Sequence, residues 1–225
     1  MRGGGILAIV AHPDDETFGC GGTLALHAAM GHEMSILALT CSEAERREEL
    51  LEASKTLGTG EPVVLEGKAL STDDETIRRI SDVIVSSRPA IVITHVPFDY
   101  HREHRSTHRV VREAIEWAAH TTTHVDPWRV DRLLLMEVNT LIPTPHVIVD
   151  VSDFFDKKKR ALSCYRTQLA KFSDGYYTRF DELKAELRGV QGGCRYAEAF
   201  AEEPLTKNSP FFASRAMKSL LSGSV

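Results

Sequence analysis

Apolar residues gather along this chain in short dense runs separated by longer segments of helical periodicity. Ile6 to Ala11 is apolar throughout, and Met34 to Thr40 and Ala90 to Thr94 are nearly so. Runs of this length without polar alternation read as strands covered on both faces. Between them the spacing predicts helices over 17–30, 43–57, 72–85 and 105–119, the last with Val111, Ala114, Ile115 and Ala118 on one stripe. Gly31 and Gly58 mark two helix ends, and Thr72 with Glu75 reads as a capping box. Further on, strands are expected over 62–65, 132–138 and 146–151, and helices over 153–169 and 180–187. Strands alternating with helices predict an α/β fold: a single domain with a Rossmann-like, mostly parallel sheet and helices on both faces. The domain is placed at 1–201. Residues 202–225 read as a C-terminal extension packing on the domain or on a neighbouring subunit.

Composition narrows the function more than the fold. The 225 residues include 27 Lys plus Arg and 32 Asp plus Glu, a net charge of −5. This balance gives no reason to expect nucleic acid as a partner. No apolar run approaches the roughly 18 residues of a membrane span. The first apolar run is too short for a secretory signal and leads directly into acidic residues, so a cytoplasmic protein is expected. The cysteines, Cys20, Cys41, Cys164 and Cys194, form no C-x-x-C pair. They are expected to be reduced and mostly packed.

In a doubly wound sheet ligands bind beyond the carboxyl ends of the strands, and two segments there carry unusual chemistry. The first is His12-Pro13-Asp14-Asp15-Glu16, directly after the first strand. Adjacent carboxylates repel one another, and a cation held by His12 and Asp15 relieves that repulsion. A second Asp73-Asp74-Glu75 follows no strong strand and reads as a helix start. Gly19, Gly21 and Gly22 fail the dinucleotide spacing because Leu24 stands where the third glycine belongs, so they point to close helix packing or room for a ligand. The second segment runs from Asp99 to His104, after the strand at 90–94, with His101 and His104 three residues apart. His12, Asp15 and His104 form a two-histidine, one-carboxylate set. Zinc bound by three such ligands keeps a position for water, and iron(II) uses the same ligand types. Asp14 is then left as a general base, and His101 as a proton or hydrogen-bond donor to an oxyanion. His108, four residues on, reads as a surface histidine.

Ala11-His12-Pro13-Asp14-Asp15-Glu16 resembles the signature of the PIG-L/LmbE-like zinc deacetylases, which remove the acetyl group from N-acetylglucosamine units. His101-Arg102-Glu103-His104 is similar to that family's His-Pro-Asp-His motif. Residues 158–168 resemble its C-terminal helix, and 196–200 its usual ending. The resemblance implies zinc at His12, Asp15 and His104, with Fe2+ or another divalent metal as alternatives. It further implies Asp14 as base, His101 at the oxyanion, Arg47 as a sugar contact, an N-acetylated amino-sugar substrate, and a homo-oligomer, trimer or hexamer. Arg102 and Glu103 replace the family's Pro and Asp; Glu103 is expected to orient His101 through a hydrogen bond. The segment after the second strand is shorter than in many relatives, which leaves the sugar's neighbour unread. A non-catalytic sugar- or metal-binding module of the same fold, or another metal-dependent amidase, is the alternative reading.

The basic run Lys157 to Arg160 reads as a solvated helix face. His95, His124 and His146 lie near strand ends and read as packed or surface residues. Asp150 is a candidate support for the site, and Trp117 and Trp128 are expected in the core.

Overall fold

The computed structural model describes residues 4–205 apart from positions 42, 66, 68 and 172. Seven strands form one sheet: β1 (Ile6–Val10), β2 (Met34–Ala38), β3 (Val63–Val64), β4 (Ile91–His95), β5 (Arg132–Met136), β6 (Val147–Asp150) and β7 (Ala197–Glu203). Their spatial order is β3-β2-β1-β4-β5-β7-β6. The first five run parallel, while β7 is antiparallel to both β5 and β6. The chain order reverses between β1 and β4, so the crevice at their carboxyl ends is the topological switch point where such sheets bind ligands. The expected α/β fold is therefore present.

The apolar strands alternate between two cores. Ile6, Ala8 and Val10 of β1 face one core, and Leu7 and Ile9 face the other. The first core lies under α1 (Asp15–Ala29), α2 (Ala44–Leu57) and α5 (Phe155–Ser163). The second lies under α3 (Asp74–Ser87) and α4 (Arg102–Ala118), where Ile80, Ile84, Val111 and Ala114 are fully buried. Burying an aliphatic side chain of the size of Val or Ile contributes about 1.5–3 kcal/mol relative to exposure. Two further helices, α6 (Arg166–Leu169) and α7 (Tyr176–Gly192), precede β7. Among the described residues no helix is long and apolar enough to cross a membrane. All four cysteines are free thiols. Trp128 packs against the second core and donates its indole N–H to the Pro89 carbonyl at 2.7 Å.

Several expectations are corrected. Asp73, not Thr72, caps α3, its carboxylate accepting the Thr76 N–H at 2.9 Å. The helix expected over 153–169 breaks at Cys164 and Tyr165, where the Tyr165 ring turns into the core. Helix α7 is longer than the 180–187 expected, and residues 197–203, for which no element is predicted, form a strand. Of the extension expected at 202–225, residues 202–203 belong to β7, and those from 206 on lie outside the described residues.

The largest correction concerns Lys158. It is fully buried, not part of a solvated face. Helix α1 breaks at Cys20, whose φ of −149° and ψ of 18° are not helical. The break frees the Phe18 carbonyl, which accepts Lys158 Nζ at 3.1 Å and Lys184 Nζ at 2.9 Å. It also frees the Gly22 and Thr23 N–H groups, which donate to the two Glu198 carboxylate oxygens at 2.9 and 2.7 Å. Lys158 closes the network with ion pairs to Glu198 at 2.9 Å and Asp181 at 3.0 Å. The glycines allow the close approach: a Cβ on Gly19 would lie 2.3 Å from Met136 Sδ, and one on Gly22 2.8 Å from Val151 Cβ.

Removing one partner of a buried pair strands the others. Lys158→Met should destabilise the protein by about 3–5 kcal/mol in denaturant unfolding. Arg160→Met, on the exposed side of the same helix, should stay within about 0.5 kcal/mol. Equal effects from the two would refute a structural role for the buried network.

Candidate active site and metal centre

The switch-point crevice is built from the loops after β1 and β4. Strand β1 ends at Val10, and the chain turns through His12, Pro13 and Asp14 into α1. Asp14 has φ 108° and ψ −33°, a conformation that L residues rarely adopt and that costs on the order of 1–3 kcal/mol. Its carbonyl accepts the N–H groups of Thr17 and Phe18, both at 3.0 Å, which starts the helix. Asp14, Asp15 and Glu16 are all buried at this turn.

Asp15 is the hub. Its Oδ1 lies 3.2 Å from His104 Nε2. Its Oδ2 lies 3.3 Å from His12 Nδ1 and 3.4 Å from His95 Nε2, and accepts the His12 N–H at 2.8 Å. Tetrahedral zinc with bonds of about 2.0–2.1 Å holds its donor atoms about 3.3 Å apart, so the spacing around Asp15 suits such an ion. Among the described residues two sets of three donors have atoms within 4.8 Å of one another: His12, His101 and His104, and Asp15, His95 and His104. The expected trio of His12, Asp15 and His104 draws on both. Either set could hold a metal ion.

Each imidazole has its far nitrogen occupied differently. His104 Nδ1 is 3.2 Å from Asp99 Oδ2, which leaves Nε2 aimed at Asp15. His12 Nε2 is 2.6 Å from Glu103 Oε2, which leaves Nδ1 toward Asp15. These are the carboxylate–imidazole pairs that fix ligand tautomers. Glu103 therefore orients His12, not His101 as expected. Its longer side chain reaches from α4 across to the β1 loop, and its other oxygen accepts the Leu70 N–H at 3.2 Å. His95 Nε2 accepts the Ala11 N–H at 3.0 Å, so a metal ion on the set that includes His95 would have to displace that bond. His95 stacks on His104 with ring centroids 4.0 Å apart. Sequence reasoning misses Asp99 and His95 as site residues; a carboxylate two residues before His101 and a histidine ending a buried strand are the available signals.

The Asp14 side chain makes no hydrogen bond or ion pair with the imidazoles. Arg46 Nη2 lies 3.3 Å from its Oδ2 and also donates to the Pro13 carbonyl. Arg47, expected at the sugar, is exposed, and it is Arg46 that lines the crevice. His101 caps α4 with its backbone, and its buried Nδ1 has no hydrogen-bond partner. The crevice encloses about 370 Å³ and is lined by Phe18, Tyr100, Tyr177 and Phe180, together with Gln168 and Lys171.

Burial and the Asp15 charge set the protonation states in the metal-free protein. Burial, reinforced by Asp15, raises Asp14 to about 8. Burial opposes a charge on His104, but Asp15 and Asp99 outweigh it and raise the group to about 10. His12 likewise rises to about 9 against its own burial, through Asp15 and Glu103. His95 goes the other way: burial dominates and lowers it to about 4. Burial would raise Asp15, but His104 and His95 hold it well below the usual carboxylate range.

Residues 7–115 match the PIG-L family, described as GlcNAc-PI de-N-acetylase. A 1D-myo-inositol 2-acetamido-2-deoxy-alpha-D-glucopyranoside deacetylase of Rhodococcus opacus (strain B4) is 28% identical over 246 aligned positions, 76% of this chain and 83% of that protein. A 4-oxalmesaconate hydratase of Pseudomonas putida (strain KT2440) is 24% identical, over 82% of this chain and 80% of its own. The crystal structure of the conserved protein TT1542 from Thermus thermophilus superimposes with a TM-score of 0.82 at 27% identity, covering 92% of this chain and 98% of that one.

His12, His104 and Asp14 each bind a proton more tightly folded than unfolded. The Asp14 contribution is lost as pH rises from 3.8 to about 8, that of His12 from 6.5 to about 9 and that of His104 from 6.5 to about 10. The metal-free protein should therefore show a thermal midpoint that falls steadily from pH 7 to pH 10. A metal ion replacing the imidazole protons should flatten that fall. Scanning calorimetry with and without zinc checks both, and a flat metal-free profile would count against these assignments.

Proposed function

We propose that this chain, which carries a PIG-L family match over residues 7–115, is a zinc-dependent N-deacetylase acting on an N-acetylglucosamine-type sugar or glycoconjugate. The N-deacetylase class is supported by that match and by the Rhodococcus relative's named activity. The observation that carries the reading is the separation of roles in the crevice. Asp15 is surrounded by histidines, while Asp14, one residue earlier, is buried at the crevice, held by Arg46, and paired with none of them. A binding module needs no such second carboxylate.

His12, Asp15 and His104 would hold the zinc, with Asp99 and Glu103 fixing two of the rings from behind. A zinc ion there supplies a Lewis acid for the acetyl carbonyl and lowers the pKa of a water. Asp14 takes a proton from the attacking water as its oxygen bonds to the carbonyl carbon. His101, which lines the crevice, donates to the oxyanion that develops on the acetyl oxygen. As the C–N bond breaks, the proton on Asp14 passes to the departing nitrogen, leaving acetate and a free amine. Arg46 keeps the Asp14 carboxylate in place throughout and, at the crevice wall, reaches the sugar side. Phe18, Tyr177 and Phe180 give an apolar surface for a sugar ring.

Acetate release from a panel of N-acetylglucosamine compounds should be lost on metal stripping and restored by zinc. Asp14→Asn should keep one zinc per chain and lose roughly 10²–10⁴-fold in kcat, the usual worth of a general base. Near wild-type turnover in zinc-loaded Asp14→Asn would refute the base assignment. No acetate release from any compound, with zinc bound, would turn the search to other substrates, beginning with the hydratase reaction of the Pseudomonas relative.

A further inference from the structure

We propose that Tyr165 is a positioning residue for Asp14, acting through the buried carboxylate of Glu16. The inference rests on the reading of Asp14 as the base, and its geometry stands without it.

Glu16 lies one residue past the Asp15 hub, and its carboxylate bonds to groups other than the imidazoles. Its Oε2 accepts the backbone N–H of Asp14 at 3.1 Å. Its Oε1 accepts the Thr17 hydroxyl at 2.5 Å and the Tyr165 hydroxyl. Glu16 and Tyr165 are both fully buried, so neither bond has water to replace it. Asp14 sits at φ 108°, the backbone position in this loop least suited to an L residue. That conformation aims its N–H at Glu16. Rotation of Asp14 toward an ordinary φ would carry the N–H away and would swing the carboxyl relative to Asp15 and Arg46. The Glu16 carboxylate therefore acts as a latch on the backbone of the proposed base.

Tyr165 comes from the break between α5 and α6, 149 residues away in sequence. Its backbone is fixed as firmly as its ring. Its N–H donates to the Leu162 carbonyl, and its own carbonyl accepts the N–H groups of Gln168 at 3.2 Å and Leu169 at 3.0 Å. The short helix it starts carries Thr167 and Gln168 on the crevice wall. One residue thus sets both the orientation of Glu16 beneath the base and the placement of the opposite wall. A tyrosine needed only to fill the core would be replaced without loss by phenylalanine.

Tyr165→Phe removes one hydroxyl and leaves the ring volume. In the zinc-loaded protein it should lower kcat roughly 10–100-fold, the range expected for a misplaced catalytic group, with KM within about twofold and zinc content unchanged. Glu16→Gln, which cannot accept from both sides in the same way, should show the same split. Introduced into Asp14→Asn, Tyr165→Phe should cost less than about twofold more, because the group it positions is gone. A crystal structure of Tyr165→Phe should show Asp14 moved out of the positive-φ region. Unchanged kcat, or losses that multiply in the double variant, would overturn the proposal. If the wild-type protein releases no acetate, the deacetylase reading fails by itself. The crystal structure then decides: Asp14 retained near φ 108° in Tyr165→Phe overturns the latch, and its departure supports it.

Discussion

Three consecutive carboxylates, Asp14, Asp15 and Glu16, are buried at the start of α1, and the rest of the site is arranged around keeping them there. A helix N-terminus favours negative charge, but only by about 0.3–1 kcal/mol in the ordinary case, far less than burial of three such groups costs. The chain resolves this by giving each carboxylate its own partners. Asp14 has Arg46 of α2, and Asp15 has histidines from the β1 loop, β4 and α4. Glu16 has Thr17 and the tyrosine between α5 and α6. These partners come from most of the elements around the switch point, so the charge problem and the assembly of the crevice have the same solution. Asp14 is raised to about 8 while Asp15 is held well below the usual carboxylate range, which lets adjacent residues of one type perform different work.

The break in α1 extends this logic into the core. An unbroken helix would satisfy its own backbone from Phe18 to Thr23. The break leaves one carbonyl and two N–H groups buried, and Glu198, Lys158 and Lys184 take them up. Buried ion networks are poor sources of net stability compared with apolar packing. Their contribution here is geometric: they tie the start of α1 to α5, α7 and the antiparallel strand β7. The second half of the chain supplies none of the clustered imidazoles and none of the three carboxylates, yet it fixes the segment that carries them.

Much of the fold was legible because it is local. Short apolar runs marked β1, β2 and β4, and glycine stops marked the ends of two helices. The cluster after β1 was legible because three acids and a histidine in five residues have few uneventful explanations at a strand end. What the sequence did not show depends on distance or rotation. Lys158 reads as one of four basic residues, and only partners 23, 40 and 140 positions away reveal it as buried. Arg46 and Arg47 are neighbours in sequence but about 100° apart around α2, so a one-residue difference decides which of them faces Asp14. The helix expected through 153–169 is interrupted at Tyr165, whose hydroxyl meets Glu16, and nothing in helical periodicity foretells it.

The departure from His-Pro-Asp-His to His101-Arg102-Glu103-His104 follows from the same geometry. A carboxylate on the first turn of α4 is available to either loop, and side-chain length selects which. With one more methylene than Asp, Glu103 spans the crevice to His12 and also takes the Leu70 N–H. The rings of His12 and His104 are thus both held by carboxylates on their far nitrogens, one from each side of the α4 start, while His101 between them keeps an unpartnered nitrogen. An imidazole held at both nitrogens is suited to fixed ligation, and one with a free nitrogen is suited to donating as charge develops. Which of the three rings is backed by a carboxylate is therefore set by which of them Asp99 and Glu103 can reach, and the proposed roles follow that division.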